Sequence, residues 1–186
     1  MAILAKICFL GDGEVGKTSL INRYVGKGFT SEYLPTLGSD FISKELTFQT
    51  DNGSKIIRLQ IWDLAGQPNF KRIRALYYKG AIGVFLVCDL TKLESLETLD
   101  KWYQEYLKHC EIKNHYVIVL GNKKDLKNEI KITPSKAKNY ITNTLTPINS
   151  DHFNQIEFFE TSAKTSENVN KVFEYLGKKI LKNLCQ

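Results

Sequence analysis

One glycine-rich stretch restricts the folds open to this chain more than any other feature. It reads Gly11, Asp12, Gly13, Glu14, Val15, Gly16, Lys17 and Thr18. An apolar run precedes it and an amphipathic segment follows it, which places it between a strand and a helix. Glycines let the backbone take positive φ angles and approach an anion closely. Successive N–H groups before a helix N-terminus form an anion site, so the stretch predicts a phosphate-binding loop with positive φ at Gly11, Gly13 and Gly16.

Lys17 and Thr18 carry the side chains that such a loop needs in order to bind a nucleotide. The lysine is expected to reach the β- and γ-phosphates, and the threonine hydroxyl to ligate Mg²⁺. The alternative is an ordinary glycine-rich turn, although chance alone gives the pattern in only about one chain in a hundred of this length. The strand before the loop and the helix after it favour the nucleotide.

Composition limits the classes of protein to which the chain can belong. With 186 residues, 42% of them hydrophobic and 25% charged, it fits one soluble globular domain over residues 1–186, with little or no tail. The net charge of +6 is scattered along the chain, which argues against a nucleic-acid function. No signal peptide or membrane-spanning run is evident. The cysteines, Cys8, Cys88, Cys110 and Cys185, lack metal-binding spacing and indicate a reducing, cytoplasmic location.

Strand and helix patterns alternate along the chain. Apolar runs predict strands at Ile3–Leu10, Ile82–Cys88, Tyr116–Leu120 and Ile156–Phe159. Amphipathic patterns predict helices at Thr18–Val25, Ser95–Cys110, Pro134 to about Leu145, and Ser166–Leu184. Two alternating runs, Ile42–Phe48 and Ile57–Ile61, flank the hairpin signal Asp51-Asn52-Gly53, and residues 64–72 are predicted to be a loop. This order predicts an α/β fold: a mainly parallel six-stranded sheet with one antiparallel edge strand and helices on both faces.

The segment Asp63-Leu64-Ala65-Gly66-Gln67 follows one predicted strand directly. A carboxylate at that strand end suits a contact to Mg²⁺, direct or through water. Gly66 lets a backbone N–H approach a γ-phosphate, and the Gln67 amide can orient a water because it both donates and accepts. Alone such a segment is usually a turn, but after a phosphate loop it favours a function in hydrolysis.

The segment Asn122-Lys123-Lys124-Asp125 follows the strand predicted at Tyr116–Leu120. The ionised Asp125 can accept from the two adjacent donors of guanine, N1–H and the exocyclic amine, whereas adenine would present an acceptor to it. The alternative is a charged surface turn. The last strand ends in Glu160 to Lys164, where a backbone N–H could meet the base carbonyl and the Lys164 stem could lie over the ring.

Tyr33-Leu34-Pro35-Thr36 lies in the loop between the first helix and the hairpin. A threonine hydroxyl on such a loop can ligate Mg²⁺ only while a γ-phosphate is present. This predicts an order–disorder switch that depends on a single phosphate.

These elements, in this order, resemble the Ras-superfamily small GTPases, and most of all the Rab branch. The resemblance covers nearly the whole chain and includes Trp62-Asp63 before Ala65-Gly66-Gln67, and Tyr77 to Ala81. It implies a P-loop NTPase G domain that acts as a Mg²⁺·GTP/GDP switch in signalling or vesicle trafficking. It also implies a GTPase-activating protein, a nucleotide exchange factor and effector proteins as partners. Whether the protein also associates peripherally with membranes is left open.

The resemblance implies a role for each matching residue. It makes Gln67, Lys17 and Thr36 catalytic, and Thr18, Thr36 and Asp63 ligands or neighbours of the metal. The nucleotide would be bound by Gly11 to Thr18, Ser19, Phe29, Tyr33, Thr36, Gly66, Asn122, Lys123, Asp125, Ser162, Ala163 and Lys164. The aromatic residues Phe41, Trp62 and Tyr77 would form an effector surface, for which plain core packing is an equal alternative.

The chain departs from the Rab pattern at several places. It has Leu64, Pro68 and Asn69 where Rab-like chains usually have threonine, glutamate and arginine. Pro68 disfavours helical geometry at Gln67 and removes a backbone donor beside the γ-phosphate, so we hypothesise that it restricts how Gln67 places the attacking water. An insertion around Thr144–Asn154 and an end at Cys185-Gln186, which is not a prenylation box, also differ from the pattern.

The absence of arginine between Lys27 and Asp40 predicts slow hydrolysis by the chain alone. In Ras, a member of this superfamily, an arginine from a partner accelerates hydrolysis roughly 10⁵-fold. Arg72 and Arg74 are the nearest internal substitutes. Two alternatives stay open: a GTP-binding scaffold with little useful hydrolysis because of Pro68, and a nucleotide kinase. The kinase would need an acceptor-substrate site and a lid, which is often rich in arginine, whereas this chain has four arginines.

Overall fold

The computed structural model of the protein describes residues 2–30, 36, 38–50, 53–112, 115–148 and 155–184, without the side chains of Pro68 and Leu184. The strands are β1 Ala2–Leu10, β2 Ser39–Thr50, β3 Gly53–Leu64, β4 Gly83–Asp89, β5 Tyr116–Asn122 and β6 Glu157–Glu160. The helices are α1 Lys17–Val25, α2 Lys71–Tyr78, α3 Leu93–Glu97, α4 Leu99–Leu107, α5 Pro134–Tyr140, α6 Thr146–Ile148 and α7 Val169–Leu184. Short 3₁₀ turns cover Pro68–Phe70 and Lys127–Glu129, and a π-helical turn, Ile141–Leu145, joins α5 to α6.

The six strands of the described chain form one sheet in the order β2-β3-β1-β4-β5-β6. β2 lies at the edge and pairs antiparallel with β3, while the other neighbouring strands pair in parallel. This confirms the predicted α/β class with a single antiparallel edge strand. Because parallel strands end at the same side of a sheet, the loops after β1, β3, β5 and β6 meet at one edge.

Helices cover both faces of the sheet, as predicted. On one face α1 and α7 pack together, and the rings of Tyr24 and Phe173 stack with their centroids 3.5 Å apart. On the other face α2 to α5 pack over β4 and β5, with Tyr103 and Tyr106 fully buried. Every residue of β4 is buried, which fits a strand covered on both sides.

Several of the predicted boundaries are wrong. The helix predicted at Ser95–Cys110 is two helices, α3 and α4, that meet at Thr98. α7 begins at Val169 rather than at Ser166, because Ser166 and Asn168 adopt φ angles of 69° and 57°, which a right-handed helix does not allow.

The loop predicted over residues 64–72 instead contains the 3₁₀ turn and the start of α2. The buried side of α2 consists of Arg74 and Tyr78, whereas Ile73 and Leu76 are exposed. With a charged residue inside and apolar residues outside, the segment lacks the apolar stripe by which a helix is recognised in a sequence.

Some predictions fall on parts of the chain outside the described residues. These are the hairpin turn at Asp51 and Asn52, the predicted nucleotide contact Tyr33, residues 149–154 of the insertion, and the C-terminal residues Cys185 and Gln186. Among the helices that are described, none is both long and apolar enough to cross a membrane.

Leu176 and Leu76 provide a matched test of this packing, because both lie on helices. Leu176 is 1% exposed and Leu76 is 75% exposed. We expect Leu176→Ala to lower the free energy of unfolding by about 2–5 kcal/mol, since it leaves a cavity beneath α7. Leu76→Ala should change it by about 0.5 kcal/mol or less. Urea denaturation of both variants measures the difference, and equal effects would contradict the packing described for α7.

Candidate functional site

The loop between β1 and α1 is tightly curled at the carboxyl edge of the sheet. Gly11 and Gly16 adopt φ angles of 140° and 96°. A Cβ atom on Gly11 would lie 2.2 Å from the carbonyl oxygen of Val87, so a glycine is required there. The predicted positive φ at Gly13 is wrong, because Glu14 takes the left-handed conformation instead, at 65°.

Lys17 is buried inside this loop. Its Nζ donates to the carbonyl oxygens of Gly11 at 2.7 Å and of Asp12 at 2.8 Å. Burial lowers the pKa of Lys17 to about 8, against the opposing effect of the Asp63 and Asp12 carboxylates. The ammonium group therefore lies in a confined place where an anion would stabilise its charge.

Thr18, Thr36 and Asp63, predicted as the metal site, lie together. The two threonine hydroxyl oxygens are 2.9 Å apart, and both hydroxyls donate to Oδ2 of Asp63, that of Thr36 at 3.4 Å. Oδ1 of Asp63 is buried and has no hydrogen-bond partner among the residues that the structure describes. Burial raises the pKa of Asp63, although the Thr18 hydrogen bond and the Lys17 charge oppose the shift. Three clustered oxygen donors with one carboxylate oxygen to spare fit a Mg²⁺ ion.

A cavity of about 560 Å³ lies beside these residues, which is a usual size for a small-molecule site. The predicted residues that line it are Gly13, Glu14, Gly16, Lys17, Thr18, Ser19, Phe29, Thr36, Gly66, Gln67, Asn122, Lys123, Asp125, Ala163 and Lys164. The predicted residues Gly11, Asp12, Val15, Asp63 and Ser162 do not line it but contact residues that do. The cavity thus brings together five parts of the chain, namely the segments after β1, α1, β3, β5 and β6.

Sequence reasoning missed five residues that line the cavity. They are Asn22, Lys27, Gly28, Thr30 and Leu126. Asn22 lies one helical turn after Thr18, and the other four lie next to or near Phe29 or Asp125 in the sequence. Their closeness in sequence to predicted site residues was the one signal that could have identified them.

Asn122 connects three loops rather than simply facing the cavity. Its side chain is 2% exposed; Nδ2 donates to the carbonyl oxygen of Val15 at 2.9 Å, and Oδ1 accepts from the backbone N–H of Ala163 at 3.2 Å. A backbone N–H in the segment Glu160 to Lys164 was expected to meet a base carbonyl, and that of Ala163 is already bonded here. Asn122 therefore holds the phosphate loop against the loop after β6.

Asp125 and Lys123 are fixed by neighbours at the other end of the cavity. The Ser162 hydroxyl donates to Oδ1 of Asp125 at 2.6 Å. Lys123 has a φ angle of 68°, and its Nζ pairs with the carboxylate of buried Asp89 at 2.7 Å. Both side chains line the cavity, so a carboxylate and an aliphatic stem are presented to a planar ligand.

Gly66 brings the segment after β3 against the phosphate loop. A Cβ atom there would lie 2.6 Å from the carbonyl carbon of Asp12 and 2.7 Å from the nitrogen of Gly13. Only glycine permits this backbone approach. Gln67 follows at the cavity wall, immediately before the 3₁₀ turn Pro68–Phe70.

Arg74 fixes the backbone on both sides of Gly66. One of its guanidinium nitrogens, Nη1, donates to the carbonyl oxygens of Ala65 at 2.9 Å and Gln67 at 2.8 Å. The other two nitrogens form a bidentate pair with Glu105 at 2.9 and 3.1 Å. Arg74 is 2% exposed. It was expected as an internal substitute for a catalytic arginine, but in this structure its guanidinium is committed to these partners, and only Arg72 is exposed.

Trp102 links the Arg74 cluster to the phosphate loop. The guanidinium carbon of Arg74 lies 4.4 Å from the Trp102 ring centroid, and the indole Nε1 donates to Oδ1 of Asp12 at 2.7 Å. The Thr98 hydroxyl donates to the other carboxylate oxygen of Asp12 at 2.7 Å. The Asp12 side chain therefore points to α4. The contact to the nucleotide that was predicted for Asp12 could then be made only by its backbone.

The family model described as the Ras family matches residues 6–182. This chain belongs to the Ras family. The Ras-related protein Rab-7a of Paramecium octaurelia is 40% identical over 178 residues, which cover 94% of this chain and 80% of that protein. The Ras-related proteins RABG3c of Arabidopsis thaliana and Rab7 of Vigna aconitifolia are each 38% identical, over 97% of this chain and 84% of their own lengths.

The family confirms the predicted Rab-like small GTPase, a guanine-nucleotide switch that hydrolyses GTP. Regulators and effectors are the kinds of partner that such a GTPase has. The nucleotide-kinase alternative is thereby set aside.

The three aromatic residues predicted as an effector surface form one cluster on this GTPase. Ring centroids of Phe41 and Trp62 are 5.0 Å apart, and those of Trp62 and Tyr77 are 4.5 Å apart. Phe41 is 45% exposed, whereas Trp62 and Tyr77 also pack against the buried core. The cluster is therefore partly exposed and partly packed against the core. This arrangement is compatible with both predicted roles, the effector surface and core packing.

The partly buried Glu105 gives the GTPase a testable dependence of stability on pH. Burial acts to raise the pKa of Glu105, but hydrogen bonds from Arg74 and Tyr78 outweigh it, and the pKa lies below its usual value of 4.5. The stabilisation is thus complete above about pH 4.5 and is lost as pH falls through the lower pKa of the folded state.

We expect Glu105→Gln to lower the free energy of unfolding by about 1–3 kcal/mol at pH 7, where it replaces a charged acceptor by a neutral one. The deficit should shrink below about pH 4.5 as the wild-type carboxylate becomes protonated. Denaturation with urea at pH 7 and at pH 3 measures it, with nucleotide held constant. A deficit that does not change with pH would contradict the charged pair.

Proposed function

We propose that the cavity binds Mg²⁺ with GTP or GDP, that the γ-phosphate orders the segment around Thr36, and that partners recognise this change. The observation that supports it is the meeting, around one cavity, of a buried lysine, a cluster of oxygen donors and a base-reading carboxylate. These groups come from the carboxyl ends of β1, β3 and β5 and, for Thr36, from the segment before β2. Each is chemically matched to a different part of a guanine nucleotide.

Lys17 and the backbone N–H groups of the phosphate loop would hold the phosphate chain. Thr18 and Thr36 would ligate the metal, with Asp63 beside it, since the structure already gathers their oxygens. When bound, Mg²⁺ supplies positive charge that neutralises the phosphate oxygens. The free Oδ1 of Asp63 can accept from a water of the metal's hydration shell.

Asp125 would select guanine. Ser162 occupies Oδ1, which fixes the direction of the carboxylate and leaves acceptor capacity for the N1–H and the exocyclic amine of the base. Phe29, which is 38% exposed at the cavity wall, and the stem of Lys123 would cover the ring. Ala163 and Lys164 close the same end.

Gln67 would orient the attacking water, and Arg74 would position Gln67 through the backbone. Among the described residues that line the cavity there is no arginine. Hydrolysis by the protein alone is therefore proposed to be slow, with a GTPase-activating protein supplying the missing positive charge. An exchange factor would act on release of GDP.

Effectors would recognise the aromatic cluster of Phe41, Trp62 and Tyr77, because it adjoins the segments after residue 36 and after β3 that contact the γ-phosphate. We further propose that the recognition of effectors serves vesicle trafficking. The protein would act as a single domain over residues 1–186, in the cytoplasm and attached peripherally to membranes.

The nucleotide that the purified protein retains tests the proposed function, together with Asp125→Asn. Chromatography should identify GDP. In Asp125→Asn, loss of a charged acceptor should weaken binding of GDP by roughly 10²-fold or more, and xanthine nucleotides, which present a carbonyl in place of the amine, should gain on guanine nucleotides. Retained ATP, or unchanged base preference in the variant, would count against the proposal.

Pro68 supports the second candidate, a GTP-binding scaffold with little hydrolysis. It begins the 3₁₀ turn directly after Gln67 and provides no N–H to a bound phosphate. We expect Pro68→Glu to raise single-turnover hydrolysis, by a few-fold to roughly 10²-fold, the effect of moving a catalytic group by about 1 Å. The same change in a Gln67→Leu background is the control and should give no gain. An unchanged rate in Pro68→Glu would show that Pro68 does not restrain Gln67.

A further inference from the structure

Arg23, near the end of α1, reaches a loop far away in the sequence. Its Nε donates to the carbonyl oxygen of Ala163 at 2.7 Å, and its Nη2 donates to that of Lys164 at 2.9 Å, over separations of 140 and 141 residues. Arg23 is not among the residues that line the cavity. It thus contacts the base end of the cavity from outside.

The two segments that Arg23 joins hold opposite ends of the proposed nucleotide. α1 begins with Lys17 and Thr18, on the phosphate side. Ala163 and Lys164 lie on the base side. A nucleotide bound at both ends is released only after its contacts at one end break, so a bond that holds the two segments together opposes release.

The loop from residue 161 to 164 is held on its inner side by residues of the cavity itself. Asn122 accepts from the Ala163 N–H, and Asp125 accepts from the Ser162 hydroxyl. Asp125 is also the group proposed to bind the base. Arg23 is an anchor for this loop that is independent of those inner groups.

The geometry suits arginine in particular. Two carbonyl oxygens of consecutive residues face one planar guanidinium, which donates to both at once through a fixed fork. A lysine ammonium is a point donor on a flexible stem and would not hold both oxygens in the same way. Hydrogen bonds from a charged donor are also stronger than those between neutral groups.

We propose that Arg23 is a positioning residue that sets how long the nucleotide stays bound, by holding the 161–164 loop over the base. The inference rests on the proposed function of the cavity. When the two hydrogen bonds are lost, the loop opens more often and GDP leaves faster. The γ-phosphate end, where hydrolysis takes place, is unaffected.

The test is the dissociation rate of a fluorescent GDP from the full chain, chased with excess unlabelled GDP. Arg23→Gln should raise the rate roughly tenfold or more, the scale expected for a lost hydrogen bond to a charged group. Arg23→Lys, which keeps the charge, should lie between it and the wild type. Arg58→Gln is the matched control, because Arg58 forms an exposed pair with Glu45 at 2.7 Å on the β2–β3 hairpin, and its rate should stay within about twofold of the wild type.

Two further measurements separate positioning from general stability. Single-turnover hydrolysis of bound GTP should be unchanged in Arg23→Gln, and release of inosine diphosphate should accelerate by the same factor as release of GDP. The second result is expected because inosine lacks only the amine proposed for Asp125. A contact that only stabilised the fold would lower the melting temperature and leave the dissociation rates alone.

A dissociation rate for Arg23→Gln within twofold of the wild type overturns the inference while the proposed function stands. If that variant does not fold, an unchanged rate in Arg23→Lys overturns it equally. A wild-type protein that binds no guanine nucleotide would overturn the proposed function, and the inference with it.

Discussion

Close backbone packing around the phosphate loop underlies the arrangement of the whole candidate site. Gly11 lies against the backbone of Val87, and Gly66 lies against the phosphate loop itself, each at distances that leave no space for a Cβ atom. These contacts exist only because parallel strands bring their carboxyl ends to one edge of the sheet. The open space that remains between the loops is the cavity.

A buried polar cluster holds the segment that carries Gln67 in place beside that loop. Burying a guanidinium is costly unless its donors are satisfied. The hydrogen bonds of Arg74 to Glu105 and to the carbonyl oxygens beside Gly66 meet that requirement. Trp102 packs against the Arg74 guanidinium and donates a hydrogen bond to Asp12. The segment that carries Gln67 is thus held by side chains that never touch the cavity. This gives a chain without an arginine at position 69 a fixed backbone around Gln67, the residue proposed to orient the attacking water.

The sequence was most informative where a motif fixes several residues at once. The phosphate loop, the Asp63 to Gln67 segment and Asp125 lie where their spacing and the strand pattern place them, because strand ends converge in an α/β sheet. The sequence was least informative for α2, whose buried face holds a charged residue, and for the start of α7. That helix begins only after Ser166 and Asn168, because both adopt left-handed φ angles. Neither feature leaves a periodic pattern. Positive φ at Glu14 rather than Gly13 could not be read from composition, since a glycine was the better candidate.

The sequence alone predicts the chemistry proposed for this GTPase: a lysine and a threonine for phosphate and metal, a glutamine for water and a carboxylate for guanine, in a fixed order along the chain. Which polar residues support these groups from outside the cavity became visible only in the folded chain. The side chains of four such residues bind other groups of the same chain, most of them far away in sequence: Asp12, Asn122, Arg74 and Arg23. The physical reason is that chemistry belongs to the residue type, whereas the direction of a side chain depends on which distant backbone groups packing leaves within hydrogen-bonding reach.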